Sequence, residues 1–205
     1  MPDGVVFECA AAAAILMGDD VPLLKIPESW AVRSSAVGED GDSASHAGQY
    51  DTVMDVRQDG LVEAIRAVVA SRDSAKAASY RRQRGLAPRS RMAVVVQRFM
   101  RADASGVACG INPVTGASET VIEAVRGSGA ALVGGLVTPE YWSVARDVVR
   151  EHRPGSASVG WNESDVRRIA RVADAVTRSA GRPMEIEFAM ADGTLWLLQA
   201  RPFTR

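Results

Sequence analysis

Near the C-terminal end, Met184-Glu185-Ile186-Glu187-Phe188 alternates apolar and acidic residues. A strand period of two puts Met184, Ile186 and Phe188 on one face and both carboxylates on the other, roughly 7 Å apart along the strand. Asp192-Gly193 signals a hairpin. On the returning segment Leu195, Leu197, Gln199 and Arg201 share one parity, and Trp196 and Leu198 share the other. A two-residue loop would set Glu187 beside Leu198, whereas a three-residue loop or a bulge sets the acids on the face of Gln199 and Arg201. The second register is expected, because it gathers Met184, Ile186, Phe188, Trp196 and Leu198 into one apolar face. Two carboxylates, an amide oxygen and a guanidinium suit a magnesium-bound polyphosphate: oxygen ligands hold the hard cation, and the planar fork of arginine meets phosphate oxygens. Arg33 is a second candidate, between the apolar run 30–32 and Ser34-Ser35, at a loop mouth where backbone amides and hydroxyls add anion contacts. Taken singly, the acidic pair also suits the solvated face of an edge strand, and Arg33 a surface residue closing a strand.

The elements that must position these groups are partly legible. Residues 5–7 read as a short strand or lead-in, and residues 10–17 as a helix ended by Gly18. Residues 21–28, with two prolines, read as a connector, and residues 38–48 as a polar, glycine-rich loop. Over 61–80 the positions Leu61, Ile65, Val68, Val69, Ala75 and Ala78 follow helical spacing, as one long helix or two. Arg81, Arg82 and Arg84 follow, read as solvated cations at a helix C-terminus, where the dipole favours them. Residues 92–97, with Val94, Val95 and Val96 in succession, read as a strand buried on both faces. Further strands over 106–111, 120–125 and 141–145, with a turn at 112–116, suggest an antiparallel sheet. Asn162 caps a helix over 163–180 with the apolar stripe Val166, Ile169, Val172, Ala173 and Val176, ended by Gly181.

Composition limits the function classes. The 205 residues are 47% hydrophobic and 24% charged, which fits one globular domain or two small lobes. The 24 basic and 25 acidic residues leave no global field to hold a polyanion, so neither nucleic acid nor a membrane surface is expected as a partner. Cys9 and Cys109 form no metal-ligand spacing and no disulfide framework, which suits a reducing cytoplasm. The apolar stretch 5–17 is interrupted by Glu8 and is too short to span a bilayer, so neither anchor nor signal peptide is expected.

A longer series of motifs carries a resemblance. Ala31-Val32-Arg33-Ser34-Ser35, Gly38-Glu39-Asp40, Ala47-Gly48-Gln49, Val96-Gln97, Ser105-Gly106-Val107, Asn112-Pro113, Gly116, Glu123-Ala124-Val125, Gly127, Gly129, Val137, Pro139-Glu140, Glu185-Ile186-Glu187 and Gln199-Ala200-Arg201-Pro202 occur in that order. The order resembles the ATP-binding domain of phosphoenolpyruvate synthase, pyruvate phosphate dikinase and rifampicin phosphotransferase, over nearly the whole chain. The resemblance implies an α+β, ATP-grasp-like fold, mainly antiparallel sheet with packed helices and a truncated N-terminal lobe. Residues 1–95 would form that partial lobe, with the loop at Arg33 and a long helix, and residues 96–205 the C-terminal lobe with the nucleotide and metal hairpin. It also implies ATP and Mg2+ as cofactors. Arg33 would contact the ATP phosphates, and Gln97 to Met100 would form the hinge beside adenine. Glu185, Glu187 and Gln199 would hold nucleotide and metal, with Glu123 orienting nearby groups. Arg201 would neutralise charge on the transferred phosphoryl, so Arg33 and Arg201 are the candidate catalytic residues. Phosphoryl transfer asks a protein mainly for such positioning and charge neutralisation.

The departures are informative too. Met1-Pro2-Asp3-Gly4-Val5 resembles the stretch that in the family follows a glycine-rich segment with a phosphate-binding lysine, so the chain is expected to begin just after it. The lysines present, Lys25 and Lys76, stand in no glycine-rich context. Gly127-Ser128-Gly129 follows Arg126 and precedes Ala130, where the family has an acidic residue, and Gly110 stands where a threonine is expected. The connectors 4–31 and 140–185 are shorter than in the large members. Relatives continue into a swivelling domain with a phosphorylated histidine and a substrate-binding domain. His46 and His152 read instead as surface or loop residues. The expected function is therefore the ATP-binding component of a dikinase-type phosphotransferase, passing phosphoryl to a histidine or small substrate held by a separate partner protein. The alternative is a catalytically reduced nucleotide-binding or regulatory module. The same cluster also suits a ligase forming an acyl phosphate, which nothing local favours.

Overall fold

Among the described residues a four-stranded and a six-stranded sheet organise the chain, one in each half, beside the two-stranded ribbon of 40–41 and 44–45. The computed structural model describes residues 1–18, 29–36, 40–41, 44–45, 50–83, 85, 87, 91–129 and 137–203. They belong to two compact units, Pro2–Phe99 and Met100–Arg205. Lys25, the connector 21–28, Gly38-Glu39, His46, Ala47-Gly48-Gln49, Arg84 and Ala130 lie outside the described residues.

The N-terminal unit contains β1 (Gly4–Phe7), α1 (Cys9–Met17), β2 (Trp30–Ala36), the two-residue strands β3 (Asp40–Gly41) and β4 (Ala44–Ser45), β5 (Thr52–Val56), α2 (Leu61–Ser71), α3 (Ala75–Gln83) and β6 (Met92–Arg98). Its main sheet has the order β1-β6-β2-β5, with every neighbour antiparallel. Ile15 of α1 and Leu61, Ile65, Val68 and Val69 of α2 pack on Trp30, Val32, Met92, Val94 and Val96. Alternate burial along β6 shows that one face meets this core while Ala93 and Val95 are half-buried. The run of valines is thus a two-sided strand, not one buried on both faces as its sequence suggests.

Further readings are decided or corrected in this unit. Residues 61–80 form two helices, broken at Arg72-Asp73-Ser74, and Ser74 Oγ accepts the Ala77 N–H at 3.2 Å to start the second. In α3 the buried residues are Ala77 and Arg81, while Ala75 is exposed. Arg81 is only 4% exposed and donates through Nη1 to the Arg72 carbonyl at 2.8 Å, so it belongs to the helical hairpin and is no solvated end charge. β2 continues through Arg33 to Ala36, because Arg33, Ser34, Ser35 and Ala36 pair with Val95, Val94, Ala93 and Met92. Pairing with a β-branched strand overrides the weak strand propensity of Ser-Ser, and Arg33 sits in mid-strand instead of at a loop mouth.

The C-terminal unit contains β7 (Ala104–Cys109), β8 (Thr120–Arg126), β9 (Glu140–Ala145), β10 (Val148–Arg153), α4 (Glu163–Ala180), β11 (Met184–Ala191) and β12 (Thr194–Pro202). They form a six-stranded antiparallel sheet of order β10-β9-β8-β7-β11-β12. One face buries Ile122, Ala124, Trp142, Val144, Ile186 and Phe188 against Val166, Ile169, Ala170 and Ala173 of α4. Asn162 Oδ1 accepts the N–H groups of Ser164 (2.7 Å) and Asp165 (3.2 Å), and Asp165 Oδ2 accepts that of Asn162 (3.1 Å), a complete capping box. Gly106 lies where β7 and β8 approach closely: a Cβ there would stand 2.2 Å from the Glu123 carbonyl oxygen and 2.9 Å from Ala124 Cα. Among the described residues no helix is long and apolar enough to cross a membrane.

The terminal hairpin resolves the register question in an unforeseen way. Its loop has two residues, with Asp192 and Gly193 both in the left-handed region (φ 49° and 67°), which suits the strand twist. A bulge at Leu198 then shifts the ladder, so Phe188 pairs with Leu197 but Glu187 pairs with Gln199. Leu195 and Leu197 therefore pack on the core, and Trp196, opposite Ala189, lies on the other face. The expected apolar grouping of Trp196 and Leu198 with Phe188 does not form.

Asn162→Ala should lower unfolding free energy by about 1 kcal/mol, with Asn162→Asp close to wild type. Gly106→Ala should cost more than Asn162→Ala, since backbone on both sides of β7 and β8 must move. Urea unfolding monitored by circular dichroism checks both; an unchanged midpoint for Gly106→Ala would contradict the close approach.

Candidate functional site

Polar side chains of the C-terminal sheet gather on the face away from α4. Gln199 pairs with Glu187, which pairs with Val107, then Glu123, Tyr141 and Arg153, one residue from each of the six strands. In the adjoining row of this face stand Arg201, Glu185, Cys109, Val121, Ser143 and Glu151. Directly opposed residues project from the same side of a sheet, so Glu123, Glu185, Glu187, Gln199 and Arg201 share one face. At a strand spacing of about 4.8 Å, Glu187 lies one strand from Gln199 and two strands, about 10 Å, from Glu123.

Within this group Arg201 donates to Glu185 Oε1 through Nε at 2.7 Å and also through Nη2. Their side chains are 18% and 22% exposed, so the pair is shielded from full solvent screening. On the other flank of Glu185, burial pushes the Cys109 thiol up from its ordinary range; the Ile111 backbone hydrogen bond opposes this, and the Glu185 charge adds to it. The candidate donors to a metal are two carboxylates and one amide oxygen. Among the described residues no group of three or more His, Cys, Asp or Glu side chains forms a metal cage. That donor set fits magnesium, which is commonly held by one or two carboxylates together with phosphate oxygens and water.

The N-terminal unit places its candidates on the sheet face opposite its helices. Arg33 is flanked by Val95 and Thr52, and Gln97 by Gly4 and Ala31. Val95 and Gln97 are two residues apart on β6, so Arg33 and Gln97 share that face. Gln97 is 5% exposed, and Met100, half-buried, is the first residue of the C-terminal unit.

Several contributors escape the sequence pattern. Ser105, buried on the polar face, donates to the Gly127 carbonyl at 2.5 Å, and the Gly127 N–H bonds the Asp103 carbonyl at 2.8 Å, which fixes the start of Gly127-Ser128-Gly129. Ser105-Gly106-Val107 is a motif of the resemblance, but nothing in its composition announces that tether. His152 is an exposed residue, as expected, but it lies in β10 and not in a loop; it stacks on Trp142 at 5.1 Å and contacts buried Glu140 at 2.8 Å through Nε2. Glu140 Oε2 also accepts the Val159 N–H at 2.8 Å, so this carboxylate pins the segment leading to α4. A separate cleft of about 370 Å³ opens near the C-terminal end of α4, lined by Thr120, Arg146, Asp174 and Arg178 among others, and it includes none of the candidate residues.

The fold places the chain in the ATP-grasp class. D-alanine-D-alanine ligase from Helicobacter pylori matches 98% of this chain and 49% of its own, at TM-score 0.51 and 10% identity. The dinucleotide forming acetyl-coenzyme A synthetase 1 of Ca. Korarchaeum cryptofilum matches 100% and 86%, also at TM-score 0.51 and 10% identity. Residues 12–205 match the pyruvate phosphate dikinase, AMP/ATP-binding domain family, and the chain belongs to that family. Similar proteins include the prodigiosin synthesizing transferase PigC of Serratia marcescens (36% identical over 203 residues, 86% of this chain and 23% of the relative). Rifampicin phosphotransferase of Streptomyces sviceus is 33% identical over 203 residues, again 86% and 23%. Phosphoenolpyruvate synthase of Aeropyrum pernix is 32% identical over 233 residues, 85% and 28%. The chain thus spans about a quarter of the length of these relatives.

Because the thiol of Cys109 is raised, its thiolate fraction near neutral pH falls. A thiol reagent such as DTNB at pH 7.5 should modify half-buried Cys9 first and Cys109 slowly, with Cys109 catching up only as pH rises. Peptide mass spectrometry checks this; equal rates at pH 7.5 would contradict it.

Proposed function

We propose that this ATP-binding domain binds ATP with magnesium on the polar face of the C-terminal sheet and serves a phosphotransferase of the dikinase type. The phosphoryl acceptor would be a histidine or small substrate held by a separate partner protein. The observation that carries the reading is the register of β11 and β12, which sets Glu187 beside Gln199 and Glu185 beside Arg201 on one face. Glu185, Glu187 and Gln199 would hold the cation, whose chemistry is to neutralise charge on the phosphate oxygens. Arg201 would meet the transferred phosphoryl with its planar fork. Arg33 would contact phosphates from the N-terminal unit, Gln97 to Met100 would lie beside adenine, and Glu123 would orient its neighbours. A cytoplasmic location fits the two free cysteines and the supply of ATP and magnesium.

A second reading is a nucleotide-binding or regulatory module without turnover. It is favoured by Ala130, which follows Gly127-Ser128-Gly129 where the family has an acidic residue. Nucleotide affinity with no phosphate release, even with the products of neighbouring genes added, would select it.

Calorimetry with ATP and magnesium should give saturable binding. Glu187→Ala and Arg33→Ala should each weaken it by about tenfold or more, the scale of one lost charge-assisted contact, with thermal unfolding unchanged. Absence of ATP or ADP binding by the wild-type chain would overturn the reading.

A further inference from the structure

We infer that Ser105 is a positioning residue for the nucleotide site: it tethers the segment Gly127-Ser128-Gly129 across one end of the polar face of the C-terminal sheet, as a backbone wall against the polyphosphate. This rests on the nucleotide reading above. It goes beyond that reading in assigning which part of ATP lies at that end of the face and which side chain holds the wall in place.

Ser105 stands in β7 between Ala189 of β11 and Val125 of β8. Each of the three is two residues from a member of the row Glu187, Val107 and Glu123, so the two rows share a face and lie about 7 Å apart. The chain leaving β8 folds back over this end. Ser105 Oγ donates to the Gly127 carbonyl at 2.5 Å, and a Cβ added at Gly129 would stand 3.4 Å from the same Oγ. Ser105 is accordingly only 4% exposed. The reversal takes Gly127 to a φ of 75°, where a glycine is free of the strain that a side chain brings. A second tie comes from Asp103: its carbonyl accepts the Gly127 N–H at 2.8 Å, its Oδ2 accepts the Asp192 N–H at 3.0 Å, and its N–H donates to the Met190 carbonyl at 2.8 Å. The wall is therefore fastened to the same hairpin that carries Glu187 and Gln199. Its composition suits phosphate. Gly127-Ser128-Gly129 has no apolar side chain on which a base could stack and no charge to oppose an anion, and its glycines let backbone approach a ligand closely. With the cation at Glu187 and Gln199 as proposed, the phosphates that it bridges lie along the adjoining row. A wall there keeps water from one side of them, which strengthens every charge interaction in the site. Alanine at 105 leaves the strand pairing of β7 with β8 and β11 intact and removes the tether alone.

A purely structural Ser105 predicts something different: a lower melting temperature, with the ATP affinity of the folded chain unchanged. A wall against the polyphosphate predicts a loss that depends on the phosphates. In the full chain, Ser105→Ala should bind ATP with magnesium at least about fivefold more weakly than wild type, the scale of one lost hydrogen bond, and AMP within about twofold of wild type. Calorimetry reads the ATP arm, displacement of bound ATP reads AMP, and thermal melts establish that the variant folds. Unchanged ATP affinity in folded Ser105→Ala, or an equal loss for AMP and ATP, would overturn the inference and leave the nucleotide reading standing. No ATP binding by wild type under any condition removes the nucleotide reading, and the inference with it. A measurement needing no variant follows the amide signals of Gly127 and Gly129 by nuclear magnetic resonance. They should shift when ATP and magnesium saturate the chain, and should return to their free positions when AMP replaces ATP. Signals unmoved by saturating ATP and magnesium, or moved equally by AMP, would contradict the wall.

Discussion

The terminal hairpin is held in a register that a single residue decides. Its two-residue turn pairs Ala191 with Thr194, Met190 with Leu195 and Phe188 with Leu197, which sends the leucines into the core beneath α4. Continued without interruption, that ladder would place Leu198 beside Glu187 and Ala200 beside Glu185. The bulge at Leu198 moves the ladder on by one, so Gln199 and Arg201 stand beside the carboxylates instead. One strand thereby serves an apolar face near the turn and a polar face further on, which a regular period of two cannot do. The proposed chemistry of the C-terminal unit depends on that slip.

Packing on the helical side keeps the slip in place. Ile186 and Phe188 are fixed between Ile122, Ala124 and the Val166, Ile169 and Ala173 stripe of α4, so β11 cannot shift its own side chains. β7 pairs with the other edge of β11 in unbroken register, Glu187 against Val107 and Glu185 against Cys109. The freedom lies in β12, an edge strand, where an extra residue costs least because only one neighbour must adapt. In the N-terminal unit the same division recurs: helices cover Val32, Val94 and Val96, and Arg33 and Gln97 take the opposite face.

What the sequence revealed follows from how local each signal is. The helix 163–180 and its Asn162 cap were legible because both depend on neighbours within four residues. The two acids on one face of β11 were legible because alternation is a property of one strand. The bulge was foreseen only as a means of bringing Gln199 and Arg201 to the acids; that Leu195 and Leu197, not Trp196 and Leu198, would enter the core depends on the two-residue turn acting together with it. Arg33 was placed at a strand end because Ser34-Ser35 resembles a loop, and only the valines of β6, some sixty residues on, make it a strand. Burial of Arg81 was hidden for a similar reason, since the fold of the α2–α3 hairpin decides it and the local run of arginines does not. β10 was missed because its sequence is charged, and an edge strand open to solvent needs no apolar pattern. The family likeness was readable in the order of motifs, and the matches to relatives bear it out.

The most direct measurement is a crystal structure of the full chain with a non-hydrolysable ATP analogue and magnesium. The account predicts the cation against Glu187 and Gln199 with Glu185 turned towards it, and phosphate oxygens within hydrogen-bonding distance of Arg201. A nucleotide bound on the α4 side of the C-terminal sheet, or one whose phosphates and metal touch neither Glu187 nor Gln199, would contradict it.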